Sequence, residues 1–324
     1  MTNIKDGWLD VPYSLSGKKI WIAGALGMVG AALTRRLEGE NLLDDRKIDL
    51  RDQHATREWV QKNHPDVVIV AAAKVGGIKA NSDYPAEFLY DNLMIEANVI
   101  HAAHEAGVEK LLFLGSSCIY PRMAAQPIEE DALLSGPLEP TNEAYAVAKI
   151  AGLKLCAAYR KQYGCDFISA MPCNLYGPGD KFDAQNSHVI PALIIKAHAA
   201  KTSGAKTLEV WGSGKPLREF LYADDLADAL VFLLENYSGA MPVNVGSGEE
   251  VSIAALAAMV AETVGFKGDL VFDASKPDGT PRKVMDSGRI RGAGWAPSVD
   301  LQDGLRRAYE WYLGNHESTR QKLF

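Results

Sequence analysis

Lys19 to Ala23 (KIWIA) is a short apolar run that leads directly into Gly24-Ala25-Leu26-Gly27-Met28-Val29-Gly30 and then into the amphipathic stretch AALTRRLEGE. A buried strand, a glycine turn and a helix in immediate succession leave few folds open. The glycines let a ligand come close to the backbone, and the helix start offers unpaired N–H groups and positive potential, as a dinucleotide diphosphate needs. A tight turn that only packs the helix closely would use the same residues. The place of the motif directly after the first strand favours cofactor binding, with a GxxGxxG spacing in place of GxGxxG.

Further apolar runs at 67–73 (VVIVAAA), 110–114 (KLLFL) and 167–171 (FISAM) alternate with helical patterns. Such continuous runs predict an α/β fold, a Rossmann-type doubly wound parallel sheet buried on both faces, with a smaller C-terminal substrate lobe. Ligands in such sheets lie beyond the carboxyl ends of the strands. The loops that matter are therefore the ones starting at Lys74, Gly115 and Pro172, which read KVGGI, GSSCIYP and PCNLYGP. Beyond Gly177 the composition turns polar (DKFDAQNS, 180–187), and a helix is expected from His188 to about Lys201. The predicted division is a dinucleotide lobe of 1–176 plus about 221–245, and a substrate lobe of 177–220 and 246–324. Residues 315–324 (NHESTRQKLF) are expected to form a weakly ordered tail.

The chemistry is expected in EAYAVAKIAGLKL, 143–155, where Tyr145 and Lys149 stand four residues apart on one helix face. An ammonium beside a phenol favours the phenolate, so Lys149 is expected to draw the Tyr145 pKa down from about 10 toward working pH. A tyrosine of this kind passes a proton to a developing alkoxide beside a carbonyl that receives hydride. Ser116 supplies a second donor where negative charge develops; read alone it is equally a serine ending a strand. Tyr and Lys at this spacing are also common on solvated helices. Glycine loop, strand-end serine and YxxxK in that order are a much rarer combination.

With 324 residues the chain can bury a large core, and a net charge of -7 argues against a nucleic-acid surface. The four cysteines, Cys118, Cys156, Cys165 and Cys173, form no CxxC pair, so reduced thiols in a cytoplasmic protein are expected, with no metal site. Residues 1–17 fit neither a signal peptide nor a membrane anchor and are read as an arm packed through Trp8, Leu9 and Tyr13.

These motifs, with AAAKVGGIKAN (71–81), LFLGSSCIYP (112–121), EPTNEAYAVAKIAGLKLC (139–156), NSHVIPALI (186–194), WGSGKPLREFLYADD (211–225), NVGSG (244–248) and FDASKPDGTPRK (272–283), resemble the extended short-chain dehydrogenase/reductases and, among them, the GDP-L-fucose synthases. The resemblance covers about residues 18–312. It implies conversion of GDP-4-keto-6-deoxy-D-mannose to GDP-L-fucose, with epimerisation at C3 and C5 followed by reduction at C4 by NADPH. Both carbons adjoin the C4 ketone, so enolate stabilisation by Ser116 and Tyr145 would acidify their protons. Inversion needs two further acid/base groups, and the resemblance assigns them to Cys118 and His188. Without it, Cys118 reads as a core thiol and His188 as a surface residue opening a helix.

The resemblance further implies cofactor contacts from the first turn (Gly24, Gly27, Met28, Val29, Gly30), from Arg46, Ala72 and Leu114, and from Pro172, Asn174, Leu175 and His188, besides Ser116, Tyr145 and Lys149. For the GDP-sugar it points to Lys196, Trp211, Arg218, Asp278 and Lys283, where cations suit a diphosphate and an indole covers a flat ligand face. Lys196 reads equally well as a solvated charge, and Asn174 as a turn residue. The family's arginine in the glycine loop is Leu26 here, and the region after the second strand reads Asp44-Asp45-Arg46-Lys47. NADP(H) is the expected cofactor and NAD(H) stays open: Asp44 or Asp45 would suit a ribose hydroxyl, whereas Arg46 or Arg35 would suit a phosphate. The resemblance also implies a homodimer. Competing readings are a related nucleotide-sugar epimerase or reductase, and a cofactor sensor without turnover. A dehydratase would need an acid near Ser116, and Ser116-Ser117-Cys118 offers none.

Overall fold

The structure, a computed structural model, describes residues 6–45, 48–183, 187–276 and 278–321. The chain begins with β1 (Lys19–Ala23), α1 (Met28–Arg36), β2 (Asn41–Leu43), α2 (Gln53–Asn63) and β3 (Val67–Val70). Then follow α3 (Ile78–Asp83), α4 (Pro85–Glu105), β4 (Lys110–Leu114), α5 (Glu143–Tyr163) and β5 (Asp166–Pro172). Next come β6 (Asn174–Tyr176), α6 (Val189–Ser203), β7 (Thr207–Trp211), β8 (Leu217–Tyr222), α7 (Ala223–Asn236) and β9 (Val243–Val245). The last part holds β10 (Glu250–Ser252), α8 (Ile253–Val264), β11 (Asp269–Asp273), β12 (Arg282–Lys283), α9 (Gly288–Gly292) and α10 (Leu301–Gln321).

Six strands form a wholly parallel sheet in the order β2-β1-β3-β4-β5-β9. Every residue of β3 and β4 is buried, and both runs are apolar apart from Lys110 at the start of β4, which pairs with Asp166. The chain passes from β2 back across β1 to β3, so the direction of winding reverses between β1 and β3. That switch point is where an open α/β sheet leaves a ligand crevice. The doubly wound parallel sheet is thus the one the apolar runs predict.

A second core gathers Tyr176, Phe182, Ile190, Leu193, Phe220, Leu256 and Leu305 around β8. There β8 lies between β10 and β12 and also pairs with β6, while β7 and β11 form a separate parallel pair. Glu219 of β8 is fully buried and accepts from the Gly248 N–H at 2.6 Å and the Met285 N–H at 3.0 Å. This carboxylate ties the segments after β9 and β12 to the middle of the second sheet.

The N-terminal arm lies against the first sheet's end. The Leu9 N–H donates to the Asn236 carbonyl at 2.8 Å, the Tyr13 hydroxyl donates to Glu109 at 2.7 Å, and Trp8 packs on Tyr237 with ring centroids 4.9 Å apart. Of the expected tail, 315–324, the backbone up to Gln321 continues α10, and residues 322–324 lie outside those described. After Gly314 the chain has neither glycine nor proline through Gln321, so nothing there stops a helix anchored by Leu305 and Tyr309. No helix among the described residues is long and apolar enough to cross a membrane.

Candidate active site

At the switch point Gly24 adopts φ +95°, and a Cβ there would sit 2.7 Å from the Ala72 backbone. Glycine alone lets the end of β1 touch the segment after β3. Gly27 precedes α1 and contributes no capping side chain, so the first-turn N–H groups around Met28 and Val29 stay free of a protein cap. A Cβ on Gly30 would lie within contact of the Gly24 carbonyl and 2.7 Å from the Ala25 Cα. The cradle is shaped by missing side chains, and it fits a dinucleotide diphosphate.

Beyond β2 the structure narrows the options for a ribose or its phosphate. The Trp21 indole donates to Asp45 at 2.8 Å, and burial holds the Asp45 carboxyl above its usual range. Asp45 is therefore engaged inward and is not a free ribose ligand. Arg35 forms an ion pair with Asp224 and Arg36 one with Asp228, so Arg35 is tied to α7. Arg46 lies outside the described residues.

The strand-end loop after β4 and the helix α5 bring the expected triad together. Ser116 accepts from the Cys118 N–H at 3.3 Å, and its hydroxyl is hydrogen-bonded to the Tyr145 phenol. Lys149 donates to the Leu114 carbonyl at 3.0 Å, and its ammonium lies 5.9 Å from the Tyr145 ring centroid. The expected lowering of the tyrosine pKa does not occur. Burial, together with the charges of Cys118 and Glu96, pushes the Tyr145 phenol well above its ordinary value. Burial of the phenol is the main reason, and Glu96 of α4 adds to it from 2.9 Å off the Lys149 ammonium, both side chains of that pair buried.

Cys118 receives a hydrogen bond from the Asn142 amide at 3.2 Å and faces the Lys283 ammonium at 3.8 Å. His188 stands immediately before α6; the residue is exposed overall, yet desolvation of its ring within the site, followed by the Lys283 charge, lowers its imidazole pKa below 6.5. One lysine thus addresses both proposed acid/base groups.

The remaining expected residues spread along the second lobe. Lys283 is in register with Arg218 on the adjacent β8, so the two cations share a sheet face. The Arg218 guanidinium donates to the Leu217 and Asp278 carbonyls. Asp278 turns its carboxylate to the Ser213 N–H at 2.7 Å and hydroxyl at 2.8 Å, holding the turn after β7. The Trp211 ring is half-exposed, with Lys196 4.4 Å and Lys276 5.5 Å from its centroid. Asn174 gives its amide to the Glu219 carbonyl at 2.8 Å. Leu175 pairs with Leu221 in the second sheet, whereas Pro172 ends β5 opposite Val245.

Sequence reasoning missed Glu96, Asn142 and Lys276. Glu96 is the lone charge in MIEANVI, where Asn98 is the one other polar residue, and that is the signal that could have marked it. Among the described residues no group of three or more His, Cys, Asp or Glu side chains could hold a metal ion.

Residues 20–246 match the NAD dependent epimerase/dehydratase family. A GDP-L-fucose synthase of Sinorhizobium fredii is 59% identical over 94% of this chain and 98% of its own length. A GDP-L-fucose synthase of Escherichia coli is 50% identical over 94% of this chain and 100% of its own. Among solved structures, a GDP-L-fucose synthetase from Naegleria fowleri bound to NADP superposes with a TM-score of 0.88 at 30% identity, covering 97% of this chain and 99% of that one. With its glycine cradle, Ser116–Tyr145–Lys149 and Cys118 in place, the chain belongs to the NAD dependent epimerase/dehydratase family and, within it, to the GDP-L-fucose synthases.

Proposed function

We propose that the chain converts GDP-4-keto-6-deoxy-D-mannose to GDP-L-fucose by inverting C3 and C5 and reducing C4, as a bifunctional epimerase and NADP(H)-dependent reductase. The observation that carries this reading is the meeting of two sets of groups in one place. Ser116 and Tyr145 suit a carbonyl oxygen, and Cys118, two residues from Ser116, faces Lys283 on the side of the second lobe.

The turn from Gly24 to Gly30 would hold NADPH, which would supply the hydride for C4. All else is the work of the protein's own groups. The Ser116 and Tyr145 hydroxyls stabilise the C4 oxygen, first as an enolate while C3 and C5 exchange protons, then as an alkoxide. Cys118 and His188 exchange the carbon-bound protons on opposite faces of the sugar. His188, biased toward its neutral form by ring desolvation and the Lys283 charge, enters as a proton acceptor, and the Cys118 thiol is the second group. Tyr145 protonates the alkoxide. Arg218 and Lys283 hold the diphosphate side of the substrate, and Trp211 with Lys196 the outer part of the nucleotide. The turn at Ser213, braced by Asp278, positions that outer part.

In this reading 1–176 with about 221–245 carry the dinucleotide, and 177–220 with 246–324 carry the GDP-sugar. The protein works as a cytoplasmic homodimer. All four cysteines are free, which suits a reducing compartment. Packed against each other, α4 and α5 leave Tyr90 and Val147 exposed, which suits a contact between copies through these helices.

The test is incubation with GDP-4-keto-6-deoxy-D-mannose and NADPH in heavy water. NADPH absorbance falls and GDP-L-fucose carries deuterium at C3 and C5. Reduction without deuterium at either carbon would leave a simple 4-reductase and overturn the epimerase half.

A further inference from the structure

The Glu96–Lys149 pair lies inside the interface of α4 and α5, one side chain 1% and the other 2% exposed. Taking two charges out of water is costly, and an apolar pair of the same volume is often at least as stabilising. The chain also makes room for it. Gly152 stands in the middle of α5, where alanine would favour the helix, and a Cβ there would lie 2.5 Å from Glu96 Oε2 and 2.5 Å from Phe113. Burial raises the Glu96 carboxyl, and the Lys149 ammonium is the first of the groups that oppose this, ahead of the Gly152 N–H. Lys149 in turn is fixed by the Leu114 carbonyl, the Phe113 face and Glu96, and Tyr145 is one helical turn away.

Resting on the reductase reading above, we propose that Glu96 is a positioning residue for the C4 reduction. Its carboxylate clamps the Lys149 ammonium and offsets its charge, so that Tyr145 stays an intact acid until the alkoxide forms. As the C4 carbonyl accepts hydride from NADPH, its π pair moves to oxygen. The Tyr145 proton then joins that oxygen, and the phenolate left behind regains a proton from water. A tyrosine already ionised by an unopposed ammonium could not make that transfer. The groups facing Tyr145 are Ser116 and Cys118 from the loop after β4, Lys149 on its own helix and Glu96 from α4. Glu96 faces Lys149 and, more weakly, the Cys156 thiol on α5. The raised Tyr145 value, with Glu96 among its causes, has the sign this arrangement requires.

The test is Glu96→Gln, which keeps the shape and removes the charge, alongside Glu96→Asp. Because reduction needs protonated Tyr145, activity is lost as pH rises through the tyrosine's pKa. Loss of a neighbouring carboxylate therefore moves the alkaline limb of kcat to lower pH, by about 1 to 3 units in Glu96→Gln and by less in Glu96→Asp. A substrate-free readout is the ultraviolet tyrosinate titration. In Glu96→Gln one tyrosinate forms at lower pH than it does in the parent protein, and Glu96→Gln combined with Tyr145→Phe lacks that difference. A kcat reduced by one factor at every pH, or a tyrosinate titration the same as that of the parent, would overturn the proposal. If the parent protein fails to reduce the 4-keto sugar, the functional reading fails, while the titration still decides the role of Glu96.

Discussion

Alanine at Gly30 sets two effects of opposite sign against each other. Gly→Ala inside α1 favours the helix by about 1 kcal/mol. The new methyl, however, would lie 2.7 Å from the Ala25 Cα and within contact of the Gly24 carbonyl, both backbone atoms that cannot rotate away. A carbon–carbon contact relaxes to about 3.5 Å, so α1 must retreat from the turn by about 1 Å. Overpacking of this kind costs about 1–3 kcal/mol, enough to cancel or outweigh the helical gain. The larger effect falls on the ligand. First-turn N–H groups displaced by that distance lose a hydrogen bond to a charged diphosphate, worth about 1.5–3 kcal/mol. NADPH affinity should then fall about 10- to 100-fold. Titration calorimetry with NADPH and separately with GDP reads the outcome, and GDP affinity should be unchanged because its proposed groups lie on α6, β7, β8, β12 and the turns beside them. Gly30→Ala with parental NADPH affinity and a raised Tm would refute the placement of the diphosphate on this turn.

Other consequences are equally open to measurement. Arg218→Met should weaken GDP binding by about 10- to 100-fold, through loss of a charged hydrogen bond, and leave NADPH binding intact; a parental GDP Kd would take Arg218 out of the site. Lys283→Met removes a charge that disfavours the His188 imidazolium, so the acid limb of deuterium uptake should move to higher pH, and an unmoved limb would mean that Lys283 does not act on His188. Burial raises the Asp180 carboxyl to about 7, so the folded state binds a proton that the unfolded state has already released, and stability falls as pH rises from about 4 to about 7. Asp180→Asn should accordingly raise Tm at pH 8 and leave it unchanged near pH 4, as followed by differential scanning calorimetry.

Local features of the site were readable from the chain because their geometry is local. Gly24, Gly27 and Gly30 act within one turn and one helix start, and Tyr145 and Lys149 are related by a single helical turn. Ser116 and Cys118 follow an apolar run whose end is visible as GSSC. What was hidden depends on partners far away in the chain. Lys149 alone suggests an ammonium free to ionise Tyr145; the burial that raises the phenol, and the Glu96 carboxylate that reaches Lys149 from another helix through the gap left by Gly152, follow only from tertiary packing. The neighbours of Lys283 follow from the register of β12 on β8, and β12 is only two residues long, too short for any pattern. The acid of Asp278 suggests a ligand contact, yet both its oxygens are given to Ser213. Arg35 likewise reads as a phosphate partner until Asp224 is found against it.

The central claim is that one oxygen-binding pair serves two reactions whose carbon acid/base groups are separate from it. It is tested most directly by following deuterium at C3 and C5 and NADPH consumption in the same heavy-water reaction for Tyr145→Phe and Cys118→Ala. The account predicts that Tyr145→Phe suppresses reduction, and that Cys118→Ala suppresses deuterium uptake. Full deuterium uptake in Cys118→Ala, or undiminished NADPH consumption in Tyr145→Phe, would contradict it.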